Sequence, residues 1–250
     1  MIDIHSHLLP GVDDGSPSSD VSVPVLELFQ SQGVETLVLT PHLNASQAHM
    51  APHVQYRAIL DELQKVAPAK PGLLLGWEIM LDAPGVDLTS FNLTLGNSRA
   101  LLVEFARGGV PRQGSAELRR IARSGRTPIL AHPERYFGCT VEQVREWRAL
   151  GVVIQTDVSM LLGRGAPAEL ARELLAFGLV DILASDNHGD QRTLAVAPEW
   201  LLQHGASDEQ IDLLTHTNAQ RILDDEDPLP VPILRSVMGP INKIRSIFRK

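Results

Sequence analysis

Apolar positions along this 250-residue chain come in short unbroken runs that alternate with longer stretches of helical periodicity. The short runs predict buried strands and the periodic stretches predict amphipathic helices. Strands are expected over Ile2 to His5, Thr36 to Thr40, Leu73 to Glu78, Ala100 to Phe105, Thr127 to Ala131, Val152 to Thr156 and Val180 to Ala184. Helices are expected over Asp20 to Gln32, His53 to Val66, Ser115 to Ser124, Val141 to Leu150 and Pro167 to Phe177. Gly33, Gly125, Gly151 and Gly178 each follow such a helix just before the next strand, where a C-terminal glycine belongs. Strands alternating with helices imply a parallel sheet with right-handed crossovers. Seven of them exceed a small open sheet and suit a closed or nearly closed barrel.

Composition narrows the classes of function. A 44% hydrophobic share can fill a core for one domain of this length. The net charge of -8 argues against nucleic acid as the main partner, since phosphate backbones are held by basic surfaces. Cys139 is the only cysteine, so no disulfide framework exists and a reducing, cytoplasmic setting is expected. The first residues lack the basic patch and long apolar core of a secretory signal. No apolar run approaches the roughly 20 residues of a spanning helix.

Candidate chemistry lies where the strands end. In a parallel barrel, function gathers at the C-terminal ends of the strands. In "MIDIHSHLLPGVDDG", Asp3, His5 and His7 alternate as residues of one strand face do, and Asp14 follows in the loop. The second strand ends in "TPH" with His42, the third in "GWEI" with Glu78, and the fourth in "LLVEF" with Glu104. The fifth ends in "LAHPERY" with His132 and, close behind, Arg135; the seventh ends in "LASDNH" with Asp186 and His188. Only the sixth, around Gln155 to Asp157, is ambiguous. Any one of these residues has a structural explanation of its own. Six of seven strand ends delivering His, Asp or Glu to one rim does not. Five imidazoles and four carboxylates are too many ligands for one ion and suit two or three. Ligation without thiolate suits Mn, Fe or Zn. Such ions a few Å apart activate water and clamp an in-line displacement. His49, His53, His204 and His216 stand in helical or loop context and are expected at the surface.

The order HxH, DDG, TPH, GxE, VEF, AHPER and SDxH resembles the polymerase-and-histidinol-phosphatase (PHP) superfamily, and within it the bacterial metal-dependent tyrosine-protein phosphatases of the CpsB/CapC type. The resemblance covers roughly residues 1 to 225. It implies an α/β fold, a distorted (β/α)7 TIM-like barrel, in agreement with the strand count; beyond it the sequence itself reads as a proline-containing basic tail over 226 to 250. It implies a cytoplasmic enzyme of capsule or exopolysaccharide systems that hydrolyses phosphotyrosine by attack of metal-activated water. The partner it implies is a phosphotyrosine protein, a membrane-associated tyrosine kinase. It also implies two or three divalent ions, Mn foremost, with Fe or Zn as alternatives. One ion would take His5, His7, Glu78 and Asp186; a second would share Glu78 and take Glu104 and His132; a third would take Asp14, His42 and His188. Arg135 and, after a loop of variable length, Arg192 match the family's phosphate-binding arginines, and Arg112 resembles another basic position near the cleft. His42 and His188 are candidate general acids where metal does not fully commit them.

Three other readings compete. A histidinol-phosphate phosphatase shares the superfamily and the metals. An amidohydrolase shares the DxHxH start, but commonly has a bridging lysine where this chain has Glu104. A non-catalytic metal-binding module would tend to lose ligands, and all nine positions are filled. In the terminal "INKIRSIFRK", Ile241, Ile244, Ile247 and Phe248 follow helical spacing among Lys243, Arg245, Arg249 and Lys250. That pattern can be drawn as a short basic amphipathic helix able to touch anionic lipid or the acidic surface of a membrane-bound kinase weakly, and equally as a disordered terminus or a strip packed on the barrel.

Overall fold

The computed structural model describes residues 1–106 and 109–237. Nine parallel strands fill seven barrel positions: β1 (Ile2–Ser6), β2 (Thr36–Leu39) continued by β3 (His42–Asn44), β4 (Gly72–Leu75) continued by β5 (Glu78–Met80), β6 (Ala100–Glu104), β7 (Thr127–Ala131), β8 (Val153–Asp157) and β9 (Ile182–Ala184). They pair in the orders β1-β2-β4 and β3-β5-β6-β7-β8-β9. The end of β9 then returns to β1: Asp186 N–H donates to His5 O at 3.0 Å, and His7 N–H donates to Asn187 O at 2.7 Å.

The second and third expected strands are therefore each broken in two, for local reasons. Pro41 has no N–H to carry a ladder through the second strand. At Gly76 a Cβ would come within 2.5 Å of Leu95 Cδ2, so only glycine lets the third strand bend there. Beyond both breaks the chain re-pairs in register, His42 opposite Glu78, and the two residues face each other across neighbouring strands.

Helices α1 (Ser19–Ser31), α2 (His53–Val66), α3 (Gly114–Arg123), α4 (Val141–Ala149), α5 (Val158–Leu162) and α6 (Ala166–Ala176) surround the strands. Alternation along β6 shows the layering. Ala100 and Leu102 join Ile4, Ile129 and Ile182 in one buried cluster, while Leu101 and Val103 join Leu118, Val144 and Trp147 of the helices in another. After β9 the chain forms α7 (Ala197–Gln203), α8 (Asp208–Asp212) and α9 (Asn218–Leu223), none of them among the expected helices. Ala219 and Ile222 of α9 pack into the cluster that holds Ile2 and Ala100.

Residues 226–237 lie back on this body. Val231, Leu234 and Val237 are buried, and Asn218 accepts from Leu229 N–H and donates to Leu229 O. The apolar and basic positions expected to form the terminal amphipathic helix, Ile241 to Lys250, lie outside the described residues. Among the described residues no helix is long and apolar enough to cross a membrane.

Candidate metal centre

All nine side chains singled out at strand ends meet at one rim of the barrel. His5 and His7 form its floor, fully buried, with their Nε2 atoms 3.3 Å apart. Glu78, 1% exposed, stands at the centre. Its Oε2 lies 3.3 Å from His5 Nε2, 3.2 Å from His7 Nε2 and 3.0 Å from His42 Nδ1, and its Oε1 lies 2.7 Å from His132 Nε2. Asp186 Oδ1 lies 3.3 Å from His5 Nε2 and 3.4 Å from His7 Nε2. Toward solvent, Asp14 Oδ1 reaches His42 Nε2 at 3.3 Å and His188 Nε2 at 3.6 Å.

Local backbone puts these atoms in place. Gly15 closes the "DDG" loop against the first strand, with no room for a Cβ, which would sit 2.1 Å from His7 O. His132 and Asp186 both adopt positive φ, 35° and 49°, directly after β7 and β9. That conformation is strained for such residues and is kept where function fixes a side chain's direction.

Donor atoms within reach of one another fall into four overlapping sets: His5, His7 and Asp186; His5, Glu78 and His132; His42, Glu78 and Glu104; and His7, Asp14, His42 and His188. The grouping differs in detail from the three sets the resemblance implies. His5 joins Glu78 and His132, and His7 joins the outer set. The donor chemistry fits divalent cations. His7 Nδ1 is 2.7 Å from Asp13 Oδ2, an acceptor, so Nδ1 carries the proton of the neutral ring and Nε2 turns a lone pair toward His5. Two imidazole nitrogens at 3.3 Å among carboxylates need positive charge between them, supplied by protons or by metal.

The electrostatics say which groups would yield to a cation. Burial disfavours the charged form of His5, His7, His42 and His132, yet the surrounding carboxylates raise each of them, chiefly Asp13 at His7 and Glu78 at the other three, His132 to about 9. Burial likewise works against an ionised Glu78, but His5 and hydrogen bonds from His132 and His42 hold it well below the usual carboxylate range. Glu104 is raised by burial and by the charge of Glu78.

The basic residues divide. Arg135 lines the same cavity of about 140 Å³ as Glu78 and Glu104, and its Nη2 pairs with Asp157 and, at 2.6 Å, with Asp186 Oδ2. Arg192 Nη1 donates to Asp186 Oδ2 at 3.1 Å, and its Nε donates to Asp190 at 2.8 Å. Arg112 is exposed and lines a different cavity with Leu81 and Glu117, and Phe105 borders both. Behind the rim stand residues that strand-end reasoning did not assign. Asp13 holds His7, and Gln155 Oε1 meets His5 Nδ1 at 3.1 Å. Asp157 pairs with Arg135, and Tyr136 Oη donates to Ala131 O at 2.7 Å while accepting from Phe105 N–H at 3.1 Å.

Fold and rim together define a metal-dependent phosphatase of the PHP-like barrel class. The family model for capsular polysaccharide synthesis, CpsB/CapC, matches residues 1–224, and the chain belongs to that family. Tyrosine-protein phosphatase CpsB of Streptococcus pneumoniae is 32% identical, over 75% of this chain and 83% of its own length. Tyrosine-protein phosphatase YwqE of Bacillus subtilis is 28% identical, over 75% and 77%. Among solved structures, one from the study of YwqE from Bacillus subtilis and CpsB from Streptococcus pneumoniae, described there as unique metal-dependent tyrosine phosphatases, superposes with a TM-score of 0.73. It is 25% identical and covers 93% of this chain and 99% of that one. A beta-aspartyl dipeptidase from Fervidobacterium islandicum shares the barrel alone, with a TM-score of 0.55 and 15% identity over 93% of this chain and 76% of that one.

Proposed function

We propose that this chain is a protein-tyrosine phosphatase whose nine-residue rim binds two or three divalent ions, Mn foremost, and that its substrate is the phosphotyrosine cluster of a membrane-associated kinase of polysaccharide synthesis. The observation that carries the reading is the convergence of nine metal-type donors with two arginines on one buried carboxylate, Asp186. His5, His7, His42, Glu78, Glu104, His132, Asp186, His188 and Asp14 would hold the ions. Bound there, divalent ions acidify a water and draw charge from phosphoryl oxygens.

The chain's own groups do the rest. Arg135, held by two carboxylates and open to the cavity, binds non-bridging phosphate oxygens, where a planar guanidinium matches phosphate geometry. Arg192, in the loop after β9, pairs with the same Asp186 oxygen and would add a second cation. Whichever of His188 and His42 an ion leaves free at the solvent side of the rim would hand a proton to the departing phenolate. That leaving group titrates near pH ~10 and needs little help. The basic residues Lys243, Arg245, Arg249 and Lys250 would favour an anionic membrane surface, where a membrane-bound substrate resides. Initial rates on a phosphotyrosyl peptide, a phosphoseryl peptide and histidinol phosphate test the assignment. Preference for the phosphotyrosyl peptide supports it, and faster turnover of histidinol phosphate overturns it.

A further inference from the structure

The end of β8 carries two fully buried polar residues, Gln155 and Asp157, two positions apart. Burying an amide and a carboxylate is costly unless each is bonded, and an apolar pair would fill the same space. Both are bonded, in a definite order. Gln155 Oε1 meets His5 Nδ1 at 3.1 Å, and Gln155 Nε2 donates to Asp157 Oδ1 at 2.9 Å. Asp157 Oδ2 pairs with Arg135 Nη2, which also donates to Asp186 Oδ2 at 2.6 Å. Asp186 Oδ1 lies 3.3 Å from His5 Nε2 and so closes a ring of five side chains. Asp157 itself is fixed from behind, where its N–H donates to Glu134 Oε1 at 2.9 Å.

From Arg135 through Asp157 and Gln155 to His5 the polarity of this ring is determined at every step. A carboxylate paired with arginine only accepts, so the amide end facing Asp157 must be the NH2 group. The other end is then a carbonyl, which also only accepts. His5 Nδ1 must therefore carry the proton, and His5 Nε2 presents its lone pair to Glu78, Asp186 and the ion they would share.

We propose that Gln155 and Asp157 are positioning residues that tie the metal site to the phosphate site. Asp157, acting through Gln155, sets His5 in its ligating tautomer; acting directly, it anchors Arg135 at the cavity. One buried carboxylate thus fixes the distance between an ion and the guanidinium that meets the same phosphate. This rests on the function proposed above only in taking His5 as a ligand and Arg135 as the phosphate contact.

The test compares Gln155→Leu and Asp157→Asn with the full chain loaded with zinc, all checked for unchanged circular dichroism. Zinc retention is measured against a competing chelator, and inorganic phosphate is titrated as inhibitor of aryl phosphate hydrolysis at saturating zinc. Loss of the partner behind a ligating histidine costs metal affinity about 10- to 100-fold, which is expected of Gln155→Leu, with a smaller loss in Asp157→Asn, where Gln155 stays but its anchor is weakened. Only Asp157→Asn is expected to weaken phosphate inhibition as well, by at least about fivefold, because only it removes one of the two carboxylates that orient the arginine. Wild-type zinc retention in both variants overturns the proposal, as does an equal change in phosphate inhibition in both. Nitrogen-15 NMR of the zinc-loaded wild-type protein gives an answer that needs no variant: His5 should be protonated at Nδ1, and protonation at Nε2 overturns the proposal. None of these readouts uses a phosphotyrosyl substrate. A protein that spares phosphotyrosine yet shows these shifts refutes the substrate reading and leaves the positioning role standing.

Discussion

Replacing Glu78 by Gln keeps the shape of the side chain at the centre of the rim and removes its charge. Glu78 approaches four imidazoles within 3.3 Å and contributes a donor to two of the four ligand sets. Disturbing the outer shell of one metal ligand lowers affinity about 10- to 100-fold. Weakening a direct ligand in two sets should cost at least that in each, or about 10²- to 10⁴-fold together. At 1.4 kcal/mol per tenfold this is about 3 to 5.5 kcal/mol. The assay is chelator competition followed by elemental analysis, run beside phosphotyrosyl hydrolysis at fixed Mn. The metal-free protein gives a second readout whose sign follows from the pKa shift. A carboxyl held below its usual range stabilises the fold above its unfolded pKa of about 4.3, and that stability is lost as pH falls. Metal-free Glu78→Gln should therefore melt below metal-free wild type at pH ~7, with the gap closing toward acid. Unchanged metal affinity with hydrolysis within about threefold of wild type would refute the bridging role.

Further outcomes follow from the same geometry. Arg135→Ala should lower kcat/KM at least about tenfold, a loss of about 1.4 kcal/mol, when measured at saturating metal; an unchanged kcat/KM would make Arg135 structural only. Burial pushes the Cys139 thiol up to about 12, so little thiolate exists at neutral pH. Cys139→Ser and iodoacetamide treatment should leave phosphotyrosyl hydrolysis within about twofold, whereas a cysteine-based phosphatase would be abolished by either. Raised imidazoles in the metal-free rim mean that ions must displace protons, so apparent Mn affinity should rise with pH until His132 has titrated, near 9. Calorimetry in buffers of different ionisation enthalpy should register proton release at pH ~7, and identical heats in all buffers would contradict it.

The rim was legible in the sequence because six of the seven barrel strands end with a residue type that water or a metal must satisfy. Every such residue, from His5 to His188, stands at that rim in the structure. The register that makes the site was not legible. Thr36 to Thr40 and Leu73 to Glu78 read as continuous strands, because a proline after an apolar run and a lone glycine also mark ordinary strand ends. The pressure of Leu95 on Gly76 is a tertiary contact. Asp13 was passed over for its neighbour Asp14, since only the fold decides which of two adjacent carboxylates turns inward to His7. Gln155 and Asp157 gave an ambiguous strand end because an amide and a carboxylate behind the ligands carry no metal signature of their own. The helices after β9 did leave a signal. Ser207 and Gln210 form a capping box at the start of α8, as Thr140 and Gln143 do at α4, and each follows the S/T-x-x-Q pattern.

The central claim is that this rim hydrolyses phosphotyrosine only when it holds several metal ions. The most direct measurement strips the protein of metal, adds Mn back stepwise and follows bound ions and phosphotyrosyl-peptide hydrolysis on the same samples. Activity should be absent at the start and reach its plateau at two or three ions per chain, the number that five imidazoles and four carboxylates can share. Full hydrolysis by the stripped protein in excess chelator would contradict the account.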